Sequence, residues 1–138
     1  MFDSEPAVAM TRARVLLADD HVDVVRLLQS ILELEFDVVG TVGDGSALMA
    51  AAVALEPDVI VTDIAMPVVD GLEATAEIIR RAPHARIVLI TSQVEAGVQR
   101  RGLAAGALGY VGKLTADVDL VPAIRAALRG ERYVSPDG

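Results

Sequence analysis

Val59-Ile60-Val61-Thr62-Asp63-Ile64-Ala65-Met66-Pro67 decides the fold. Four apolar or β-branched residues run into one carboxylate, and Met66-Pro67 then stops the strand. A short apolar run bounded by turn signals reads as a strand buried on both faces, the habit of parallel sheets. In open α/β sheets, chemistry collects just outside the carboxyl ends of the strands. Asp63 stands at such an end. A carboxylate there is either badly placed for stability or placed for use.

Val15-Leu16-Leu17-Ala18 is a second run of this kind and ends in Asp19-Asp20-His21. Adjacent carboxylates repel each other, which is costly unless a cation or solvent relieves them. Taken alone, the pair could equally cap the following helix. Val25, Leu28 and Leu32 then fall on one helical face. Asp37 to Val42 is a short strand, and Gly43-Asp44-Gly45 is a turn, with Ser46 as the expected cap of a helix over Ala47 to Leu55. After the central strand, Leu72 to Arg81 is amphipathic, and Arg86 to Ile90 is another buried strand closing in Thr91-Ser92. Residues 94–105 are expected as a helix weakened by Gly97 and Gly102, each by roughly 1 kcal/mol relative to alanine. Tyr110-Val111-Gly112 leads into Lys113, and Asp119 is expected to cap a last helix with Pro122 in its first turn.

Five strands thus alternate with five helices. Right-handed crossovers between parallel strands give an α/β fold, a doubly wound five-stranded parallel sheet of order 2-1-3-4-5 with helices on both faces. The expected domain runs over residues 14–130. Residues 1–13 read as a disordered N-terminal tail, and residues 131–138 as the start of a linker.

A chain of 138 residues is one domain with a substantial core, and 53% hydrophobic residues with only two Tyr, two Phe and no Trp make that core aliphatic. No apolar run reaches membrane-spanning length, because Glu56-Pro57-Asp58 and Asp63 interrupt the longest candidate. Asp3 and Glu5 stand where a secretory signal would be basic. The absence of cysteine excludes a disulfide framework and a thiolate metal site. A soluble, cytoplasmic protein with no membrane partner is expected. A net charge of −8 argues against non-specific nucleic-acid binding by these residues. Lys113 is the one lysine among 12 Lys and Arg residues, which reflects either chance or a need for a compact ammonium there. Gly40, Gly43 and Gly45 are spaced G-x-x-G-x-G, not as the dinucleotide fingerprint, and read as a turn.

Parallel strands bring Asp19, Asp20, Asp63, Thr91 and Lys113 to one edge. Three close carboxylates need a cation, and an all-oxygen site with waters suits Mg²⁺. A carboxylate can accept a phosphoryl group as an acyl phosphate. Lys113 and Thr91 would then meet phosphoryl oxygens. Up to about two added negative charges at one point can bias a two-state loop or helix.

At Val15 to His21, Asp63 to Gly71, Ile90-Thr91-Ser92 and Gly109 to Lys113, the sequence resembles the receiver domain of bacterial two-component response regulators. The resemblance covers residues about 14 to 130, in order and at matching spacings. It implies that Asp63 is the phosphoacceptor and that Asp19 and Asp20 hold Mg²⁺ with Asp63 and the Ala65 carbonyl. It further implies that Thr91 and Lys113 contact the phosphoryl group, and that Tyr110 is a switch aromatic turning inward as Thr91 moves. The Asp-Asp-His start, Gly-Leu-Glu-Ala-Thr after Asp70 and the closing Arg-Gly-Glu-Arg-Tyr-Val-Ser-Pro look like receivers that precede a LuxR/NarL-type helix-turn-helix. Val68-Val69 departs from the more flexible stretch usual there. The implied partners are a sensor histidine kinase, a second copy of the chain on phosphorylation, and DNA only through a C-terminal domain that these residues do not include. A truncated longer protein is preferred over a stand-alone receiver. The implied role is signalling rather than turnover of a small molecule, so the chain is not expected to be an enzyme beyond its own phosphorylation and dephosphorylation.

The rival readings are a degenerate receiver working as an unphosphorylated interaction module, a Mg²⁺-dependent phosphohydrolase of the haloacid dehalogenase type, and a flavodoxin-like FMN carrier. The second uses an Asp-x-Asp nucleophile after the first strand, where this chain has Asp19-Asp20 adjacent. The third lacks the aromatic residues to sandwich an isoalloxazine ring.

Overall fold

A computed structural model describes residues 11–135. The elements are β1 (Arg14–Ala18), α1 (Val22–Leu32), β2 (Asp37–Val42), α2 (Gly45–Leu55), β3 (Val59–Asp63), α3 (Gly71–Arg81), β4 (Ile87–Thr91), α4 (Ala96–Ala104), β5 (Gly109–Gly112), a 3-10 turn (Lys113–Thr115), α5 (Ala116–Leu128) and β6 (Tyr133–Val134). All strand pairs are parallel, in the order β2-β1-β3-β4-β5-β6.

The apolar strands read as they do because successive side chains feed two cores. Val15, Leu17, Val59, Val61, Val88 and Ile90 face α1 and α5. Leu16, Ala18, Ile60, Ile87 and Leu89 face the other layer, with Leu48, Ala74 and Ile78 of α2 and α3. Every residue of β3 and β4 is buried, so their termini cannot drift without moving both layers. Asp63 and Thr91 therefore stand on a fixed edge.

The sheet has six strands rather than the expected five. Tyr133 and Val134 pair with Gly109 and Tyr110 of β5. The segment read as a linker thus contributes its first residues to the fold. Two residues are too short to show a strand period. Their placement comes from the open β5 edge, where Tyr133 N–H donates to Leu108 and Ser135 N–H to Tyr110.

Several ends also move. Asp44, not Ser46, caps α2, its carboxylate accepting from Ala47 N–H at 2.7 Å. Asp119 does not cap α5: the helix starts at Ala116, and Asp119 lies inside its first turn. Pro122 accordingly falls beyond the first turn, within the helix. Of the stretch read as a tail, residues 1–10 lie outside the described residues. Arg12 is tied down, its guanidinium donating to the Glu33, Leu34 and Phe36 carbonyls past the end of α1, where a cation meets the negative helix terminus. Helix α4 forms despite its glycines. A Cβ at Gly102 would lie 2.5 Å from Leu89 Cδ1, so the missing side chain is what lets α4 approach the sheet.

Candidate functional site

Asp63 ends β3, Asp19 follows β1, and Lys113 follows β5. Lys113 Nζ lies 2.8 Å from Asp19 Oδ2 and 3.0 Å from Asp63 Oδ2. Both carboxylates are buried, at 3% exposure each, while Asp20 is exposed on the rim. Asp63 Oδ1 accepts from Ala65 N–H at 3.4 Å. Asp19 Oδ1 accepts from His21 N–H at 2.9 Å.

The electrostatics follow from burial. Burial raises the Asp63 carboxyl above its ordinary range; the Lys113 hydrogen bond opposes this, and the Asp19 charge adds to it. Burial alone would lower Lys113, but its bonds to Asp19 and Asp63 prevail and hold the ammonium above its ordinary range. One cation is thus shared by two buried anions. Asp19 Oδ2 meets it at ion-pair distance and has no further polar partner among the described residues. Asp19, Asp20, His21 and Asp63 each offer a ligand atom within 4.8 Å of the others. Carboxylate oxygens with one unfilled lone-pair direction suit a hard divalent cation.

The other expected residues lie on β4 and β5. Thr91 ends β4, its hydroxyl donating to the Gln93 carbonyl at 3.0 Å and accepting from Gln93 N–H at 3.2 Å. Tyr110 is fully buried, its hydroxyl accepting from Glu95 N–H at 3.2 Å. The aromatic expected to turn inward is inward here. His21 joins the acidic group: Nδ1 is 3.2 Å from Asp19 Oδ1 and 3.1 Å from Asp20 Oδ1. Only its adjacency to the carboxylates could have signalled this.

A parallel sheet of order β2-β1-β3-β4-β5 with acid and ammonium at its carboxyl edge, extended by β6, is the flavodoxin-like receiver architecture. The chain belongs to the response regulator receiver domains of two-component systems, whose family model matches residues 15–125. It is 39% identical over 127 residues to the response regulator GacA of Pseudomonas viridiflava, covering 89% of this chain and 58% of that protein. It is 41% identical over 121 residues to the transcriptional regulatory protein LiaR of Bacillus subtilis, covering 86% of this chain and 57% of that protein. The crystal structure of a LuxR-family two-component response regulator from Aurantimonas sp. matches at a TM-score of 0.88 and 34% identity over 91% of both chains. The chain spans little more than half the length of GacA and LiaR. The resemblance to LuxR/NarL-type receivers is borne out. Among the described residues, no helix is long and apolar enough to cross a membrane.

Proposed function

We propose that Asp63 accepts a phosphoryl group from a phosphohistidine of a sensor histidine kinase, and that the resulting charge switches the domain. The observation that carries this is the Asp63 carboxylate at a strand's carboxyl end, 3.0 Å from Lys113 and within 4.8 Å of ligand atoms on Asp19 and Asp20. Asp19, Asp20, Asp63 and the Ala65 carbonyl would hold Mg²⁺. When bound, the ion neutralises charge on the transferring group. Asp63 attacks phosphorus, and the histidine nitrogen leaves. Lys113 turns from the Asp63 carboxylate to a phosphoryl oxygen, and Thr91 gives up Gln93 to reach another. Tyr110, packed beside Glu95 and the start of α4, reads that movement.

The output of the longer protein is transcription through a C-terminal helix-turn-helix domain, with phosphorylation favouring a homodimer in the cytoplasm. The similarity to the transcriptional regulatory protein LiaR and to the LuxR-family response regulator supports that reading. The receiver itself runs over residues 14–130, and β6 pairs along the edge of β5.

Intact mass after incubation with Mg²⁺ and acetyl phosphate tests the proposal. The expected result is a gain of one phosphoryl group that requires Mg²⁺ and vanishes in Asp63→Asn. No gain in the wild type, or an equal gain in Asp63→Asn, would overturn it.

A further inference from the structure

One buried carboxylate outside the acidic edge joins three elements. Asp119 of α5 is 5% exposed. Its Oδ2 accepts from the Thr115 hydroxyl at 2.7 Å and the Ser135 hydroxyl at 3.1 Å, and its Oδ1 accepts from the Tyr133 hydroxyl at 2.7 Å. Burying a carboxylate is costly unless donors replace its water. Here three neutral hydroxyls do so, and together they hold the Asp119 carboxyl below its ordinary range. Such a cluster is sensitive to the position of each member, because a donor lost leaves a buried charge short of partners.

The members belong to two places that matter. Thr115 closes the 3-10 turn that begins with Lys113, the residue whose ammonium sits between Asp19 and Asp63. Tyr133 and Ser135 lie on the chain leaving the domain. Ser135 Oγ also accepts from Gly112 N–H at 3.3 Å, directly before Lys113. Thr115 Oγ1 lies 3.5 Å from the Gly112 carbonyl. The outgoing chain and the lysine turn are therefore anchored to the same two oxygens.

We propose that Asp119 is a positioning residue that fixes the Lys113 turn against the outgoing chain at Tyr133–Ser135, so that one contact sets both the phosphoryl site and the placement of whatever follows. Its catalytic half rests on the reading of Asp63 as phosphoacceptor; the coupling itself does not. By linkage, any displacement of Lys113 also changes how firmly Tyr133–Ser135 is docked.

The test uses the 138-residue chain. Tyr133→Phe with Ser135→Ala removes the two exit hydroxyls and keeps the aromatic ring. Ala116 N–H donates to the Lys113 carbonyl, so its hydrogen exchange reports opening of the turn. Without phosphodonor, the double variant is expected to exchange at Ala116 about tenfold faster than wild type, with β1 and β3 unchanged. With Mg²⁺ and acetyl phosphate, its phosphorylation slows by about threefold to tenfold. Mg²⁺ affinity is held or tightened, because a loosened ammonium competes less for Asp19 and Asp63. Thr115→Ser retains the wild-type rate, and Thr115→Val does not. Unchanged exchange at Ala116 would overturn the proposal. So would a fall in rate and Mg²⁺ affinity together with faster exchange throughout the sheet, which is the mark of a merely structural role. If the wild type takes up no phosphoryl group, the reading of Asp63 fails separately, and exchange at Ala116 still decides the coupling.

Discussion

Lys113 Nζ lies 3.0 Å from Asp63 Oδ2 and bridges it to Asp19, so the one lysine of the chain stands where a metal ion would relieve the same repulsion. Ammonium and a bound metal would be partial competitors for one pair of carboxylates. In Lys113→Ala, those carboxylates face each other uncompensated. We expect a stability loss of about 1–3 kcal/mol without metal, between the values for exposed and fully buried pairs. Mg²⁺ should bind the variant more tightly than wild type while phosphorylation slows by about tenfold or more. Calorimetric titration of Mg²⁺ checks this, and weaker binding in Lys113→Ala would contradict the competition.

How much of this was legible in sequence follows from how each feature is encoded. The buried strands announce themselves because both faces of β3 and β4 meet a core, and the chemistry follows from where those strands end. Asp19, Asp63 and Lys113 converge because parallel strands share a carboxyl edge. The sixth strand carries no such signal. Tyr133 and Val134 dock because β5 offers an open edge and Asp119 accepts from the Tyr133 and Ser135 hydroxyls, a long-range agreement that periodicity cannot express. Asp119 itself was misread as a cap because a carboxylate near a helix start usually is one. His21 joins the acidic group through a side-chain rotamer, which spacing does not determine.

Asp63 and Asp119 respond to pH with opposite signs. Burial, reinforced by Asp19, raises the Asp63 carboxyl above its ordinary 3.8 despite Lys113. The folded state then binds more protons than the unfolded state above that value, so stability falls as pH rises through the window. Asp63→Asn, uncharged throughout, should melt higher than wild type at neutral pH without metal, the gap closing as pH falls toward 3.8. Asp119 is held below 3.8 by Thr115 and Tyr133 against burial, with help from Ser135. Its stabilisation is complete above 3.8 and lost as pH falls through the folded value. Asp119→Asn should therefore cost about 1–3 kcal/mol at neutral pH and progressively less in acid. Thermal melts of both variants across the acid range read the two trends.

Val68 sits five residues after Asp63 with φ of 70°, a left-handed backbone that β-branched residues rarely adopt. It is 81% exposed, so no core contact compensates. The conformation costs roughly 1–2 kcal/mol for a residue with a Cβ, against roughly 0.5–1 kcal/mol of extra chain freedom that glycine brings to the unfolded state. Val68→Gly should gain up to about 1 kcal/mol in urea denaturation. Val68→Ala, which keeps a Cβ, should gain less; equal gains would mean that the backbone is not the source.

Thr75 of α3 is fully buried, and its Oγ1 has no hydrogen-bond partner among the described residues. An unpaired buried hydroxyl forfeits its hydration without return. Thr75→Val keeps the branched shape and should stabilise the protein by about 1 kcal/mol. A higher denaturation midpoint at unchanged slope would establish it.

Gly71, at the start of α3, lies hard against the end of β3. A Cβ there would lie 2.0 Å from the Asp63 carbonyl oxygen and 2.9 Å from Ile64 Cα, and Gly71 N–H donates to the Ile64 carbonyl at 2.7 Å. These are backbone atoms, with no rotamer to retreat into. At Gly102 the obstacle is Leu89 Cδ1, the end of a side chain that can turn. Overpacking typically costs about 1–3 kcal/mol, and the two sites should divide that cost differently. Gly71→Ala must push α3 outward or displace Asp63 and Ile64, so both stability and the phosphorylation rate should fall. Gly102→Ala should lower stability while leaving the rate near wild type. Measuring acetyl phosphate reactivity beside urea stability separates them, and a Gly71→Ala protein that phosphorylates at the wild-type rate would show that the end of β3 tolerates movement the packing argues it cannot.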